Sequence, residues 1–206
     1  MDHFLANFNK DDKIQTFVDQ DVLQEAKECL IGAIDQGTSS TRFLVFSKKG
    51  RLAASAQMEH SQIFPEDEDK VGWHEHDPVE IWTNVAACVD TVIRLLKHQG
   101  GVNLQRFPIK AVGLTNQRET TVAWNAQTGV AYHNAIVWDD VRTTHIADKI
   151  ADGNIHRLRQ QTGLPLASYF AGTKVKWLLD NVEQLRKDVA DPEKSQHVRF
   201  GTIDTW

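Results

Sequence analysis

The chain has 206 residues, of which 41% are hydrophobic and 25% are charged, and its formal net charge is −5. This composition provides enough apolar side chain for a sizeable core. The acidic balance argues against a general nucleic-acid-binding protein, which usually presents a basic face. No apolar run approaches the ~18 residues of a membrane-spanning helix, so the sequence predicts no membrane span.

The amino-terminal residues 1–29 are predicted to be an extension. They hold seven acidic residues and no arginine, which is the wrong composition for a mitochondrial transit peptide. Five of their apolar residues recur at helical spacing: Ile14, Phe17, Val18, Val22 and Ala26. The spacing predicts either a short surface helix or a frayed tail. The two cysteines, Cys29 and Cys88, form no disulfide framework, so we expect reduced thiols and a cytosolic protein.

Three strand-like runs open the main part of the chain, at residues 30–34, 43–46 and 52–58. The linkers between them are short and contain turn residues, which predicts antiparallel neighbours. A polar loop over residues 59–75 follows. Its charged cluster at residues 66–70 is interpreted as a solvated surface bulge.

A long amphipathic helix is predicted next. Asp77 is its expected N-cap and Pro78 suits its first turn, while glycines at 100–101 end it. Its predicted apolar face comprises Trp82, Val85, Ala86, Val89, Val92, Ile93 and Leu96. Residues 109–114 then predict a strand buried on both faces and parallel to the first strand, because a helical crossover joins the two.

The resulting order, three antiparallel strands, a helix and a parallel strand, is typical of a ribonuclease-H-like α/β fold with a mixed sheet. Later elements are predicted as a hairpin around residues 125–129, a strand at 135–138, helices at 143–150, 154–162 and 173–181, and a strand at 197–206. The last predicted strand runs to the end of the sequence, so we expect a fragment whose domain is incomplete at its carboxyl end.

The turn between the first two strands has the composition of a phosphate site. The first strand ends at Asp35, and a glycine, hydroxyl residues and a cation follow: Gly37, Thr38, Ser39, Ser40 and Arg42. Backbone N–H groups, hydroxyls and an arginine bind phosphate oxygens, and one carboxylate can hold a hydrated Mg²⁺ beside them. The segment therefore suggests a nucleotide triphosphate site. The alternative is an ordinary hairpin turn, which favours the same residue types.

Arg118 and Glu119 lie in the segment 115–121, which follows the predicted parallel strand directly. Ligands bind beyond the carboxyl ends of strands in open α/β sheets. Arg118 can donate to hydroxyl oxygens and Glu119 can accept from hydroxyl hydrogens, so the pair suits a polyol clamp. A surface salt bridge or a helix-cap pair is the alternative.

Two aromatic residues are further candidates for a polyol site. Trp138 precedes two carboxylates and an arginine, which suits sugar or polyol recognition, or a tryptophan packed beside a helix N-terminus. Tyr169 lies in a predicted loop, where its phenol either reaches a ligand hydroxyl or packs in the turn. His74 and His76 lack further ligands at a known metal spacing and are interpreted as a pre-helix loop.

Taken together, these segments resemble glycerol kinases, members of the sugar and polyol kinases with an actin-like ATPase fold. The resemblance rests on residues 34–42, 72–78, 113–121, 138–143 and 163–170, and it covers residues 30–206 in order. Its most specific piece is Asn-Gln-Arg-Glu-Thr at 116–120, which distinguishes glycerol kinases from the related pentulose and hexulose kinases.

The resemblance implies ATP-dependent phosphorylation of glycerol to sn-glycerol 3-phosphate, a reaction that needs positioning and charge neutralisation. It implies that the ATP phosphates lie against Gly37, Thr38, Ser39, Ser40 and Arg42, and that Asp35 helps to hold Mg²⁺. It implies that glycerol is bound by Arg118, Glu119 and Tyr169, with Trp138 along its carbon face. No catalytic base is assigned, because the family's aspartate base is expected beyond Trp206, and the second nucleotide-binding domain is expected to be absent.

Other readings remain open. The chain could be a non-catalytic short isoform or regulatory module that forms homo-oligomers or pairs with a full-length kinase, or a related pentulose or hexulose kinase. A ribonuclease-H-like nuclease is disfavoured, because that chemistry needs several carboxylates around two metals and Thr-Asn-Gln follows the predicted fourth strand. The expected location is cytoplasmic, with association at the mitochondrial outer surface left open.

Overall fold

A computed structural model describes residues 13–25 and 29–206. The described chain divides into two compact units. The first contains the described residues up to His60 together with Trp82–Thr115, and the second contains Ser61–Ile81 and Asn116–Trp206. No helix among the described residues is both long and apolar enough to cross a membrane.

The first unit is built on a five-stranded mixed sheet in the order β1-β4-β3-β2-β6. Its strands are β1 Gln15–Val18, β2 Leu30–Gln36, β3 Ser40–Ser47, β4 Leu52–Glu59 and β6 Ile109–Thr115. Strands β2, β3 and β4 are antiparallel neighbours, and β6 is parallel to β2, so the predicted mixed α/β fold is confirmed. The ends of β2 and β6 meet where Asp35 lies opposite Thr115.

The prediction for the amino-terminal extension is partly wrong. Residues Gln15–Val18 form β1, which pairs antiparallel with β4, and only Gln20–Glu25 form a helix, α1. The free edge of β4 offers backbone hydrogen bonds that a short isolated helix cannot match, and this pairing overrides the helical spacing. Ala26 lies outside the described residues.

The predicted long helix is confirmed as α2, Pro78–His98. Asp77 caps it, with its Oδ1 accepting the Val79 N–H at 2.8 Å. Cys88, Val92 and Leu96 on one face of this helix are fully buried. Trp82 is 56% exposed, contrary to prediction, because Ile81, one position along the helix, takes the buried side of the first turn.

Strand β6 was predicted to be buried on both faces, and this is wrong. Val112 and Leu114 are each 53% exposed. The strand lies at the edge of the sheet with β2 as its partner, and all of its residues after Ile109 are exposed. Periodicity in the sequence reports apolar composition but cannot distinguish an edge strand from a central one.

The second unit contains a four-stranded antiparallel sheet in the order β5-β8-β7-β9. Its strands are β5 Glu75–His76, β7 Thr121–Asn125, β8 Ala135–Ile136 and β9 Val198–Thr202. Its helices are α3 Thr144–Ala151, α4 Arg159–Thr162, α5 Ala171–Asn181, α6 Glu183–Ala190 and α7 Pro192–Ser195. Buried residues of one core cluster, Ala123, Ile136, Trp177, Leu178 and Leu185, come from the sheet and from helices α5 and α6.

Several element boundaries in this unit differ from prediction. The helix predicted at 154–162 is reduced to α4, because Asn154 Oδ1 accepts the His156 N–H at 3.0 Å and favours a turn there. The hairpin around residues 125–129 is closed by a single bridge between Trp124 and Ala131. Helices α6 and α7 were not predicted.

The last predicted strand is also shorter than expected. Strand β9 ends at Thr202, and a turn follows in which the Thr205 N–H donates to Thr202 O at 3.0 Å. Thr202 Oγ1 donates to Asp204 Oδ1 at 2.5 Å, a local side-chain bond that favours a turn over a strand. The expectation that the sequence stops within a strand is therefore wrong.

Candidate functional site

The predicted phosphate turn joins β2 to β3. The Gly37 N–H donates to Ser40 O at 2.9 Å and closes the turn. Asp35 on β2 lies opposite Arg42 on β3, with Oδ2 and Nη1 3.3 Å apart and the two side chains 38% and 46% exposed. Arg42 Nε also donates to Gln57 Oε1 at 2.8 Å. The predicted metal carboxylate and the predicted phosphate cation are therefore adjacent and accessible.

The hydroxyl residues of this turn are not equivalent. Thr41 is fully buried and donates to Gln36 Oε1 at 2.5 Å, so its hydroxyl hydrogen is already bonded within the protein. Ser40 is nearly buried, and its Oγ accepts from Gln57 Nε2 at 3.3 Å. Thr38 is half-buried and Ser39 is exposed. The outer face of the turn is therefore formed by residues 37–39, with the Ser40 hydroxyl directed towards Gln57.

The described residues contain no cluster of three or more histidines, cysteines or carboxylates able to hold a metal by themselves. Asp35 stands as a single half-exposed carboxylate. This fits Mg²⁺, which commonly takes one or two carboxylates and completes its shell with waters and substrate phosphates.

Glu119 has an unusual backbone conformation. Its φ is +65°, in the left-handed region that residues other than glycine seldom adopt. Its Oε2 accepts the N–H of Ala171, the first residue of α5, at 2.8 Å, and its carbonyl accepts from Thr121 Oγ1 at 3.0 Å. Glu119 thus occupies a strained position in which one carboxylate oxygen caps a helix, and such strain clusters at ligand sites.

Arg118 is exposed beside it. Within residues 13–25 and 29–206, neither Arg118 nor Glu119 takes part in a salt bridge, so the surface ion pair considered from the sequence is not formed. The helix-cap alternative is realised, but it uses only Oε2 of Glu119. The guanidinium of Arg118 and Oε1 of Glu119 have no hydrogen-bond partner in the described part of the chain.

The two predicted aromatic residues are brought together. The rings of Trp138 and Tyr169 lie 5.9 Å apart between centroids at 64°, and Phe170 packs edge-on against Tyr169 at 5.0 Å. The Trp138 N–H donates to Thr120 Oγ1 at 3.2 Å, in the segment that carries Glu119. We call Trp138 and Tyr169 the aromatic pair.

Lys174 on α5 was not identified from the sequence. It is fully buried, and its Nζ donates to the carbonyls of Ser168 at 2.7 Å and Tyr169 at 2.6 Å and lies 3.5 Å from Trp138 O. Burial lowers the pKa of Lys174 to about 8, partly opposed by the carboxylates of Asp140, Glu119 and Asp139. A lysine in a helical pattern resembles a surface residue, so no sequence signal marks this one.

A buried ionic cluster underlies this region. Arg142 Nη2 lies 2.7 Å from Glu75 Oε1 and 2.8 Å from Asp140 Oδ2, and the guanidinium stacks on the rings of Trp73 and Trp177. Burial alone would raise the pKa of Glu75, but hydrogen bonds from Asn134 and Arg142 hold it below its ordinary value. The cluster joins β5, α5 and the segment after β8.

The His-x-His pair belongs to the same packed region. Gln62 Oε1 lies 2.8 Å from His74 Nε2 and 2.9 Å from His76 Nε2, and Asp139 Oδ1 lies 2.7 Å from His74 Nδ1. Both imidazoles therefore serve in a hydrogen-bonded network. Their interpretation as a pre-helix loop is wrong for His76, which lies in strand β5 and pairs with Ala135 of β8.

The chain matches a family model and curated proteins. The model described as FGGY family of carbohydrate kinases, N-terminal domain, matches residues 30–206. A glycerol kinase of Paenarthrobacter aurescens is 47% identical over 175 residues, which cover 84% of this chain and 32% of that protein. Glycerol kinase 2 of Streptomyces coelicolor is 49% identical over 177 residues, covering 85% of this chain and 32% of that protein. The chain spans about a third of the length of the curated relatives it matches.

Solved structures give a consistent result. A crystal structure of Plasmodium falciparum glycerol kinase with ADP matches with a TM-score of 0.75 and 31% identity, over 87% of this chain and 33% of that one. A ligand-bound xylulose kinase from Lactobacillus acidophilus matches with a TM-score of 0.62 and 22% identity, over 84% of this chain and 31% of that one. The second likeness concerns the fold alone.

Proposed function

The chain belongs to the FGGY family of carbohydrate kinases, and from this premise we propose that it serves the ATP-dependent phosphorylation of glycerol to sn-glycerol 3-phosphate. In this proposal the second unit binds the polyol. The turn between β2 and β3 binds nucleotide phosphates.

The observation that carries the proposal is the arrangement around Glu119. One carboxylate oxygen is fixed by the α5 N-terminus, which orients the other without help from a cation. Arg118 is exposed at the next position, and the aromatic pair lies in segments that contact the same loop. An anionic acceptor, a cationic donor and an aromatic face are the groups that recognise a small polyol, since each hydroxyl both donates and accepts.

Each side chain then has a distinct role. Arg118 donates to hydroxyl oxygens, and Oε1 of Glu119 accepts a hydroxyl hydrogen. Tyr169 meets a further hydroxyl with its phenol, and Trp138 packs along the carbon chain. Fixing the attacking hydroxyl in this way supplies the positioning on which phosphoryl transfer depends.

The phosphate turn would supply the second part of the reaction. Backbone N–H groups and hydroxyls of residues 37–39 would face the phosphate oxygens, and Arg42 would turn its exposed guanidinium towards them. Mg²⁺, when bound, neutralises phosphate charge. Asp35 would hold it through one carboxylate, and Arg42 would release Asp35 at little cost because the pair is partly exposed.

A cytoplasmic location is part of the proposal. It is supported by Cys29 and Cys88, neither of which forms a disulfide in the described part of the chain. Unpaired cysteines are usual in a reducing compartment.

Calorimetric titration of the 206-residue chain with glycerol tests the proposal. We expect saturable binding that Arg118→Ala weakens by ~1.5–3 kcal/mol, the range for hydrogen bonds to a charged group. Arg159→Ala, which removes another exposed arginine of the second unit, is the matched control and should leave glycerol affinity unchanged. Equal affinity in Arg118→Ala and the unmodified chain would remove Arg118 from the site.

Two further measurements sharpen this test. Titration with D-xylulose should give weaker binding than glycerol, and tighter binding would favour a pentulose kinase. A coupled assay with ATP, Mg²⁺ and glycerol tests the expectation that these residues lack the catalytic base. Robust turnover by the 206 residues would contradict that expectation.

A further inference from the structure

Lys174 has no role in the reaction outlined above, yet it is fully buried, and its ammonium lies against the carbonyls of the predicted polyol-site residues Trp138 and Tyr169. Burying an ammonium is costly unless its donors are satisfied. Here the partners are backbone carbonyls rather than carboxylates, at 2.7 Å for Ser168 and 2.6 Å for Tyr169. The third carbonyl, Trp138 O, lies at 3.5 Å.

These carbonyls come from two separate segments of the chain. One segment leads into α5 and carries Tyr169, and the other follows β8 and carries Trp138. Lys174 therefore links the backbones of both members of the aromatic pair. Its own helix is held at the first turn by Glu119, which accepts the Ala171 N–H.

The surrounding charges leave Lys174 without a direct counter-ion. Asp140, Glu119 and Asp139 face it and favour its charged form, whereas Arg142 opposes that form. Asp140 is already bound by Arg142, and Asp139 lies against His74. Among the described residues no salt bridge includes Lys174. The backbone carbonyl oxygens that accept its hydrogen bonds therefore stabilise its positive charge.

We propose that Lys174 is a positioning residue of the polyol site, whose ammonium fixes the backbones of Trp138 and Tyr169 and whose deprotonation weakens glycerol binding. The proposal rests on the glycerol-binding function proposed above. An ammonium offers three donors to the three carbonyls, and the neutral amine offers two. Loss of one donor releases one segment and loosens the aromatic pair against the bound polyol.

The pH dependence follows from the burial of Lys174. Its pKa is lowered to about 8 by desolvation, so it changes charge in a range where Asp, Glu and Arg do not. We expect glycerol affinity to fall about tenfold between about pH 7 and pH 9.5. This is the effect of losing about one hydrogen bond from a charged donor. Glycerol titrations across this range, with far-UV circular dichroism to confirm the fold at each pH, measure the effect.

Two variants separate positioning from general stability. Lys174→Arg keeps the charge throughout the range, so its glycerol affinity should stay high and independent of pH. Lys174→Met keeps the length of the side chain but has no donor, so its affinity should be low and also independent of pH. Parallel pH profiles in all three proteins would overturn the inference.

The unmodified chain keeps the inference falsifiable if a variant fails to fold. A flat pH profile with intact glycerol binding would refute the role of Lys174 and leave the proposed function standing. Absence of glycerol binding at every pH would instead refute the proposed function itself. The two failures are therefore distinguishable in one series of titrations.

Discussion

At the scale of single residues, the sequence identified the groups with recognisable chemistry but could not give their local geometry. Arg118 and Glu119 were selected because their donor and acceptor types suit hydroxyl groups. The left-handed backbone of Glu119 and its bond to Ala171 depend on where α5 begins in space. Lys174 was missed for the same reason, since burial of a helical lysine is decided by tertiary packing.

The left-handed backbone at Glu119 predicts a difference in stability between two variants at this position. Glu119→Ala and Glu119→Gly both remove the side-chain cap, but only glycine adopts a positive φ without steric cost. The glycine variant should therefore be the more stable by about 1 kcal/mol, the usual cost of a left-handed conformation for an alanine. Urea unfolding of the two variants measures this difference. An alanine variant as stable as the glycine variant would show that the strain is relieved elsewhere.

At the scale of elements, the local patterns predicted the strands and the long helix well. Strands β2, β3 and β4 alternate or run apolar between clear turns, and α2 has a capping aspartate and an apolar stripe. Strand β1 was missed because its pairing with β4 is a non-local interaction. Helix α6 was missed because most of its residues are polar and Leu185 is its one fully buried apolar residue, so the sequence shows no clear apolar face.

The buried ionic cluster gives a prediction at this scale. Arg142→Met leaves Glu75 and Asp140 buried without their cation, and should lower the free energy of unfolding by ~3–5 kcal/mol, as for other buried ion pairs that lose one partner. Denaturant unfolding of this variant measures the loss. Arg159→Met, on the exposed face of α4, is the control and should change stability by no more than ~0.5 kcal/mol. A similar small effect for Arg142→Met would show that water replaces the guanidinium.

At the scale of the whole molecule, family membership follows from the match over residues 30–206. The chain covers only about a third of the curated glycerol kinases, so the complete reaction stays a proposal. Within the second unit, three sequence-distant segments converge, and they carry Glu119, Trp138, and Tyr169 with Lys174. This convergence supports a polyol site better than any single motif does.

Two-dimensional ¹H–¹⁵N NMR of the labelled chain titrated with glycerol tests whether the second unit binds glycerol at Arg118, Glu119 and the aromatic pair. We expect saturable shifts at the Trp138 indole N–H, at the Arg118 side chain and at the backbone amide of Ala171, whose acceptor is Glu119. In Arg118→Ala, the shifts at Trp138 and Ala171 should saturate only at a higher glycerol concentration, because the loss of ~1.5–3 kcal/mol weakens binding. Unchanged signals throughout the second unit at saturating glycerol, or shifts confined to other parts of the chain, would contradict glycerol binding at this site.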